Sequence, residues 1–165
     1  MKESNINQQG ATQMDLDTIA KISEIHTLLT NPDMGLMQNV KKINELNFDV
    51  KFKVTEAKLS SLFKGSSFTT ETNKLYIYFE NNKICGELGD KSRHNSDNFQ
   101  CVLADTYEGA ALTKTVPINF DTFRLINFNK CQDIEFAINI AFGVIKVTLS
   151  RDNTKLTYIV SALIN

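Results

Sequence analysis

From Phe48 onwards the spacing of apolar residues changes to a period of two, and only two short helical stretches interrupt the strands that follow. Phe48, Val50, Phe52 and Val54 alternate with Asp49, Lys51 and Lys53, as in a strand with one buried face. Thr55-Glu56 then opens a helix through about Phe63. Leu59, Leu62 and Phe63 make its apolar stripe, Lys58 and Ser61 lie on the other side, and Gly65 is expected to end it. Strands are predicted at Lys74–Glu80, Lys83–Leu88 and Phe99–Asp105. Asn81-Asn82 forms a hairpin turn between the first two, because Asn tolerates positive φ. After Pro117, Asn119 or Asp121 can cap a second short helix with Phe120, Phe123 and Ile126 inward and Arg124 outward. Three strands close the chain, at Ile134–Ile140, Val144–Ser150 and Leu156–Ile164, joined at Phe142-Gly143 and Arg151-Asp152-Asn153. A strand–helix–three-strand unit thus occurs twice, at 48–105 and 115–164, without a sequence repeat. The fold class this implies is α+β: an antiparallel sheet with two short helices packed on one face.

Upstream the pattern differs. Residues 1–14 are polar and aperiodic, and Asp15-Leu16-Asp17 supplies a helix start with acids near the positive end of the dipole. Leu16, Ile19, Ile22, Ile25, Leu28 and Leu29 follow, spread around the helical wheel, until Asn31-Pro32-Asp33 breaks the run. A second amphipathic piece spans Leu36 to Leu46. Residues 1–45 are therefore read as a polar and helical appendage or connector, and 46–165 as the domain.

Composition narrows the function classes. The apolar fraction of 42% suffices for a sizeable core, while the net charge of −1 excludes a globally basic nucleic-acid binder. Any polyanion contact has to come from local segregation of charge. No apolar run is long enough to cross a bilayer, and Met1 to Met14 lacks the apolar stretch of a signal peptide, so no membrane association is expected. Three widely spaced cysteines argue against a disulfide framework and for a reducing, cytoplasmic setting.

The residues offer little to catalysis. His26 falls in the N-terminal helix and His94 in a polar loop, and Cys85 and Cys101 sit on strands among apolar neighbours as buried, inert thiols. Cys85, His94, Cys101 and Cys131 lack the close-spaced pair of a zinc site. Asp105 with Glu108, and Asp133 with Glu135, read as solvated charges at strand ends. No glycine-rich phosphate loop is present. The expectation is a non-enzymatic protein without cofactor or metal. The basic residues are more informative. Lys58 and Lys64 lie on the first helix, Arg124 on the second, and Lys130 just past it, with Lys51, Lys53, Lys41 and Lys42 further off. If both helices cover one face, their outward cations are coplanar and can contact phosphates without reading bases.

The stretch Phe52–Ile164 resembles the sliding clamp family of DNA polymerase processivity factors, and most closely the C-terminal domain of T-even-type phage clamps. The segments that carry the resemblance are FKVTEAKLSSLFK, LYIYFENNKICGELGD, FQCVLADTYEG, VPINFDTFRLINF leading to EFAIN, and the ending KLTYIVSALIN. It implies a ring of six such domains around duplex DNA, with sheet outside and helices lining the hole. By position, Lys58, Lys64, Arg124 and Lys130 would face the DNA. It further implies DNA polymerase and clamp loader as partners, their peptides held in an apolar pocket with Ile159, Val160, Leu163, Val40, Ile43 and Leu46 as candidates. A phage clamp would work in the host cell cytoplasm. Phage clamps of this type carry two domains per subunit, whereas one is legible here. The chain is then a C-terminal fragment, one of six copies in a homo-oligomeric ring, or a clamp-fold adaptor that forms no ring.

Overall fold

The computed structural model describes residues 42, 43, 45–69, 73–91 and 97–163. The chain divides into two compact units, Met1–Leu46 and Asn47–Asn165. Of the first, only a turn is described, in which Glu45 N donates to Lys42 O and Leu46 N to Ile43 O, both at 3.2 Å. The helix expected over Leu16–Leu29 lies outside the described residues.

The second unit runs β1 (Val50–Lys53), α1 (Glu56–Gly65), β2 (Lys74–Glu80), β3 (Lys83–Leu88), β4 (Phe99–Ala104), β5 (Glu108–Gly109), β6 (Val116–Asn119), α2 (Phe120–Arg124), β7 (Asp133–Asn139), β8 (Val144–Arg151) and β9 (Thr154–Ser161). Local chemistry explains the boundaries. Thr55 caps α1, its Oγ1 accepting from Lys58 N at 3.3 Å, and Glu56 sits in the first turn where the dipole favours an acid. Asn119, rather than Asp121, caps α2 by accepting from Thr122 N at 2.9 Å. Asn81 and Asn82 have φ of 49° and 61°, the pair of left-handed conformations a two-residue hairpin requires. Between β7 and β8, Asn139 Oδ1 accepts from Phe142 N at 2.8 Å.

Gly65 ends α1 as expected, as its last residue, with Ser66, at φ −64°, as the C-cap. Gly65 is buried, and a Cβ there would run into the Phe99 ring. Its role is to let α1 approach β4 closely.

The single expected sheet is two antiparallel sheets, ordered β5-β1-β7-β8-β9 and β4-β3-β2-β6. The duplication is therefore an exchange. β1, the first strand of the first half, pairs with β7 of the second, and β6, the first strand of the second half, pairs with β2 of the first. The sheets meet at an Ile118–Ala162 bridge, beside which Leu163 N donates to Pro117 O at 2.7 Å.

Side chains from both sheets and both helices fill one core. Phe52 stacks on Phe136 with centroids 5.3 Å apart. Phe63 of α1 lies 5.9 Å from Phe120, 6.0 Å from Phe123 and 5.9 Å from Phe128, while Phe123 reaches Phe136 at 6.0 Å. These rings join α1 to α2 and α2 to the five-stranded sheet, so the two helices are neighbours.

Candidate nucleic-acid interface

Helix α1 carries two of the four expected cations, but on different sides. Lys58 and Lys64 are six residues apart, roughly 120° around a helix of 3.6 residues per turn. Lys64, in the last turn, is exposed and lines a cleft of about 340 Å³ with Glu56, Leu59, Ser60, Phe63, Ser67, Phe128 and Asn129. Lys130 follows Asn129 directly. It is exposed and held at φ 56°, in a turn where Asn127 Oδ1 accepts from Asn129 N at 3.1 Å. The end of α1 and the segment after α2 thus bring Lys64 and Lys130 to one neighbourhood, and no ion pair engages either among the described residues.

Lys58 and Arg124 are each ion-paired. Lys58 Nζ lies 2.6 Å from Asp105 Oδ2, and Lys83 Nζ lies 3.0 Å from the other oxygen of the same carboxylate. Donation from Lys58, then from Lys83, holds the Asp105 carboxyl down at about 2, well below the ordinary carboxylate range. Because the folded value is depressed, the stability this group contributes is present above the unfolded value of about 4 and is lost as pH falls through about 2. Arg124 pairs with Asp121 one turn back at 2.8 Å, and its guanidinium lies 4.9 Å from the Phe120 ring centre. Sequence suggests a merely solvated strand-end charge at Asp105; the structure makes it the acceptor for two lysines. The signal for this lies in the β3–β4 pairing: Ile84 opposite Ala104 leaves Lys83 and Asp105 side by side.

The apolar candidates fall in two units, Met1–Leu46 and Asn47–Asn165. Val160 is buried in the core opposite Ile145, whereas Ile159, the preceding residue on β9, faces the other side of the sheet opposite Lys146. Leu163 is half-buried beyond the Ile118–Ala162 bridge. Ile43 and Leu46 belong to the first unit, and Val40 lies outside the described residues. A second cleft, of about 290 Å³, runs beside β1 and β5 and is lined by Lys51, Phe52, Lys53, Thr106, Tyr107, Glu108 and Glu135. Lys53 there is paired with Asp133 at 3.0 Å.

Cys85 is buried as expected, whereas Cys101 and Cys131 are half-buried. Burial raises the Cys85 thiol, and it pushes Cys101 up to about 11, which leaves little thiolate there at neutral pH. Cys131 accepts from Arg151 Nε at 3.3 Å. His26 and His94 lie outside the described residues, and among those described no three His, Cys, Asp or Glu side chains converge as a metal site would require.

No protein-family profile matches the chain, and no curated protein matches it in sequence. Among solved structures it is similar to DNA polymerase III subunit beta from Borrelia burgdorferi, in a complex with a natural product. The TM-score is 0.56 at 18% identity, over 76% of this chain and 32% of that one. The chain therefore spans about a third of the length of that protein. The likeness is one of fold, and the fold is the clamp-type domain that the sequence resemblance implies.

Proposed function

We propose that this chain is a subunit of a sliding clamp: a non-enzymatic processivity factor that surrounds duplex DNA without reading its sequence and tethers a replicative polymerase. The observation that carries this reading is the strand-exchanged double unit with adjacent helices, a fold shared with DNA polymerase III subunit beta. The resemblance to T-even-type clamps adds the finer parts: a phage replication system in the host cytoplasm, a clamp loader as second partner, and a ring of several copies. β4 and β9 end their sheets with one neighbouring strand each along most of their length, and such edges suit pairing between copies. Topological linkage would retain the ring on DNA, so each subunit's grip can stay weak.

In this reading Lys64 and Lys130 make the phosphate contacts, with the cleft that Lys64 lines taking the backbone of the duplex. Titration of a labelled duplex at increasing salt tests it. Lys64→Ala with Lys130→Ala removes two cations from the phosphates and flattens the slope of log affinity against log salt by about 1.8. An unchanged slope would remove these residues from the interface. Light scattering over a range of protein concentrations tests the ring, and a monomer throughout would exclude encirclement by this chain alone.

A second reading, a clamp-fold adaptor that binds proteins and does not surround DNA, is favoured by one observation. Lys58 and Arg124 are ion-paired with Asp105 and Asp121 on a chain whose net charge is −1. An adaptor would keep its partner binding in the double-alanine variant and bind duplex no better than that variant does.

A further inference from the structure

Asp105 stands just past the end of β4, where two elements deliver an ammonium group to it. Lys58 comes from the first turns of α1 and Lys83 from the start of β3. The three side chains are 30%, 47% and 58% exposed for Lys58, Lys83 and Asp105. Ion pairs this open contribute little to stability. Their consequence is electrostatic: two cations beside the helical layer share one anion, and each is held in a fixed direction by it.

We propose that Asp105 is a charge lock, keeping Lys58 and Lys83 out of the phosphate-contacting set and so setting how weakly the clamp grips duplex DNA. This rests on the clamp reading given above and assigns Asp105 a positioning role within it. A ring that must move along DNA is hindered by every firm phosphate contact, and each such contact adds about 0.9 to the salt slope for B-form duplex. Releasing both lysines therefore adds up to about 1.8, equivalent to about tenfold more affinity lost between 50 and 200 mM salt. The depressed carboxyl keeps the lock closed at every physiological pH, so pH does not modulate it.

Fluorescence anisotropy of a fluorescein-labelled, mixed-sequence duplex across that salt range tests the proposal on the full chain, with thermal melts confirming that each variant is folded. Asp105→Asn keeps the side chain's shape and is expected to bind more tightly at low salt with a steeper slope. Lys58→Gln with Lys83→Gln in the wild-type background is expected to leave the slope unaltered, and adding both to Asp105→Asn should restore the wild-type slope. An unaltered slope in Asp105→Asn, or a flatter one in the lysine pair alone, overturns the lock. A flatter slope in the Lys64→Ala, Lys130→Ala variant together with an unaltered Asp105→Asn sinks the lock while sparing the clamp reading. If neither the wild type nor Asp105→Asn binds duplex, both fall.

Discussion

Phe123→Ala is expected to lower the stability of the domain by about 3–5 kcal/mol, the range for removing a buried aromatic ring. Phe123 is 1% exposed and touches rings from three directions: Phe63 on α1, Phe128 beyond α2, and Phe136 on β7. No neighbour can collapse into the space without dragging a helix or a strand with it, which favours the upper part of the range. Against a typical stability of about 5–15 kcal/mol, such a loss can unfold a large fraction of the protein. Urea titration is the measurement: the midpoint should fall with the slope unchanged, since the same surface is exposed on unfolding. A shift below about 1 kcal/mol would mean that the ring cluster does not join the helices to the sheet in solution.

Gly109→Ala is the second substitution with a large expected effect, and its mechanism differs. Gly109 has φ +94°, which side chains rarely adopt, and a Cβ there would meet the backbone oxygen of Asp49. Strain of this kind costs about 1–3 kcal/mol, and relieving it means detaching β5 from β1. The damage would spread through Asp49. Its carbonyl accepts from Ala110 N at 2.8 Å, its amide donates to Ile138 O at 2.9 Å, and its carboxylate accepts from Ile140 N at 2.6 Å. Loss of β5 leaves the β1 edge open to pairing with other chains. The expected result is faster hydrogen exchange at Lys51, whose amide faces β5, together with self-association in light scattering. Wild-type exchange at Lys51 would refute it.

How much of the fold is legible in the sequence depends on range along the chain. Local chemistry is readable: the Thr55 cap, the Asn81-Asn82 turn and the alternation at Leu75, Ile77 and Phe79 each depend on residues a few positions apart. Alternation tells a strand which face is buried but does not name its neighbour, so the exchange of β1 and β6 between sheets is not readable. β5, at two residues, is too short to have a period. That Gly65 ends α1 is legible, but why a glycine stands there is not, because a glycine at a helix end has two uses and only the Phe99 ring tells them apart. For the site, the residue types are visible and their pairings are not. Lys58 is 47 residues from Asp105, and nothing in a one-dimensional reading joins them. Arg124 and Asp121 are three apart on a helix, so that pair could be anticipated.

The reciprocal placement of β1 and β6 bears on how the polypeptide matures. Asn139 Nδ2 donates to Asn47 O at 2.6 Å across 92 positions, and every β1–β7 rung spans a comparable distance. During synthesis the five-stranded layer has no central partner for β1 until the second half has left the ribosome. Neither half can complete its own sheet first, and closing such distant pairs is slow. The nascent first half must therefore wait with Val50 and Phe52 unburied, an interval in which a chaperone or a second nascent copy can capture it.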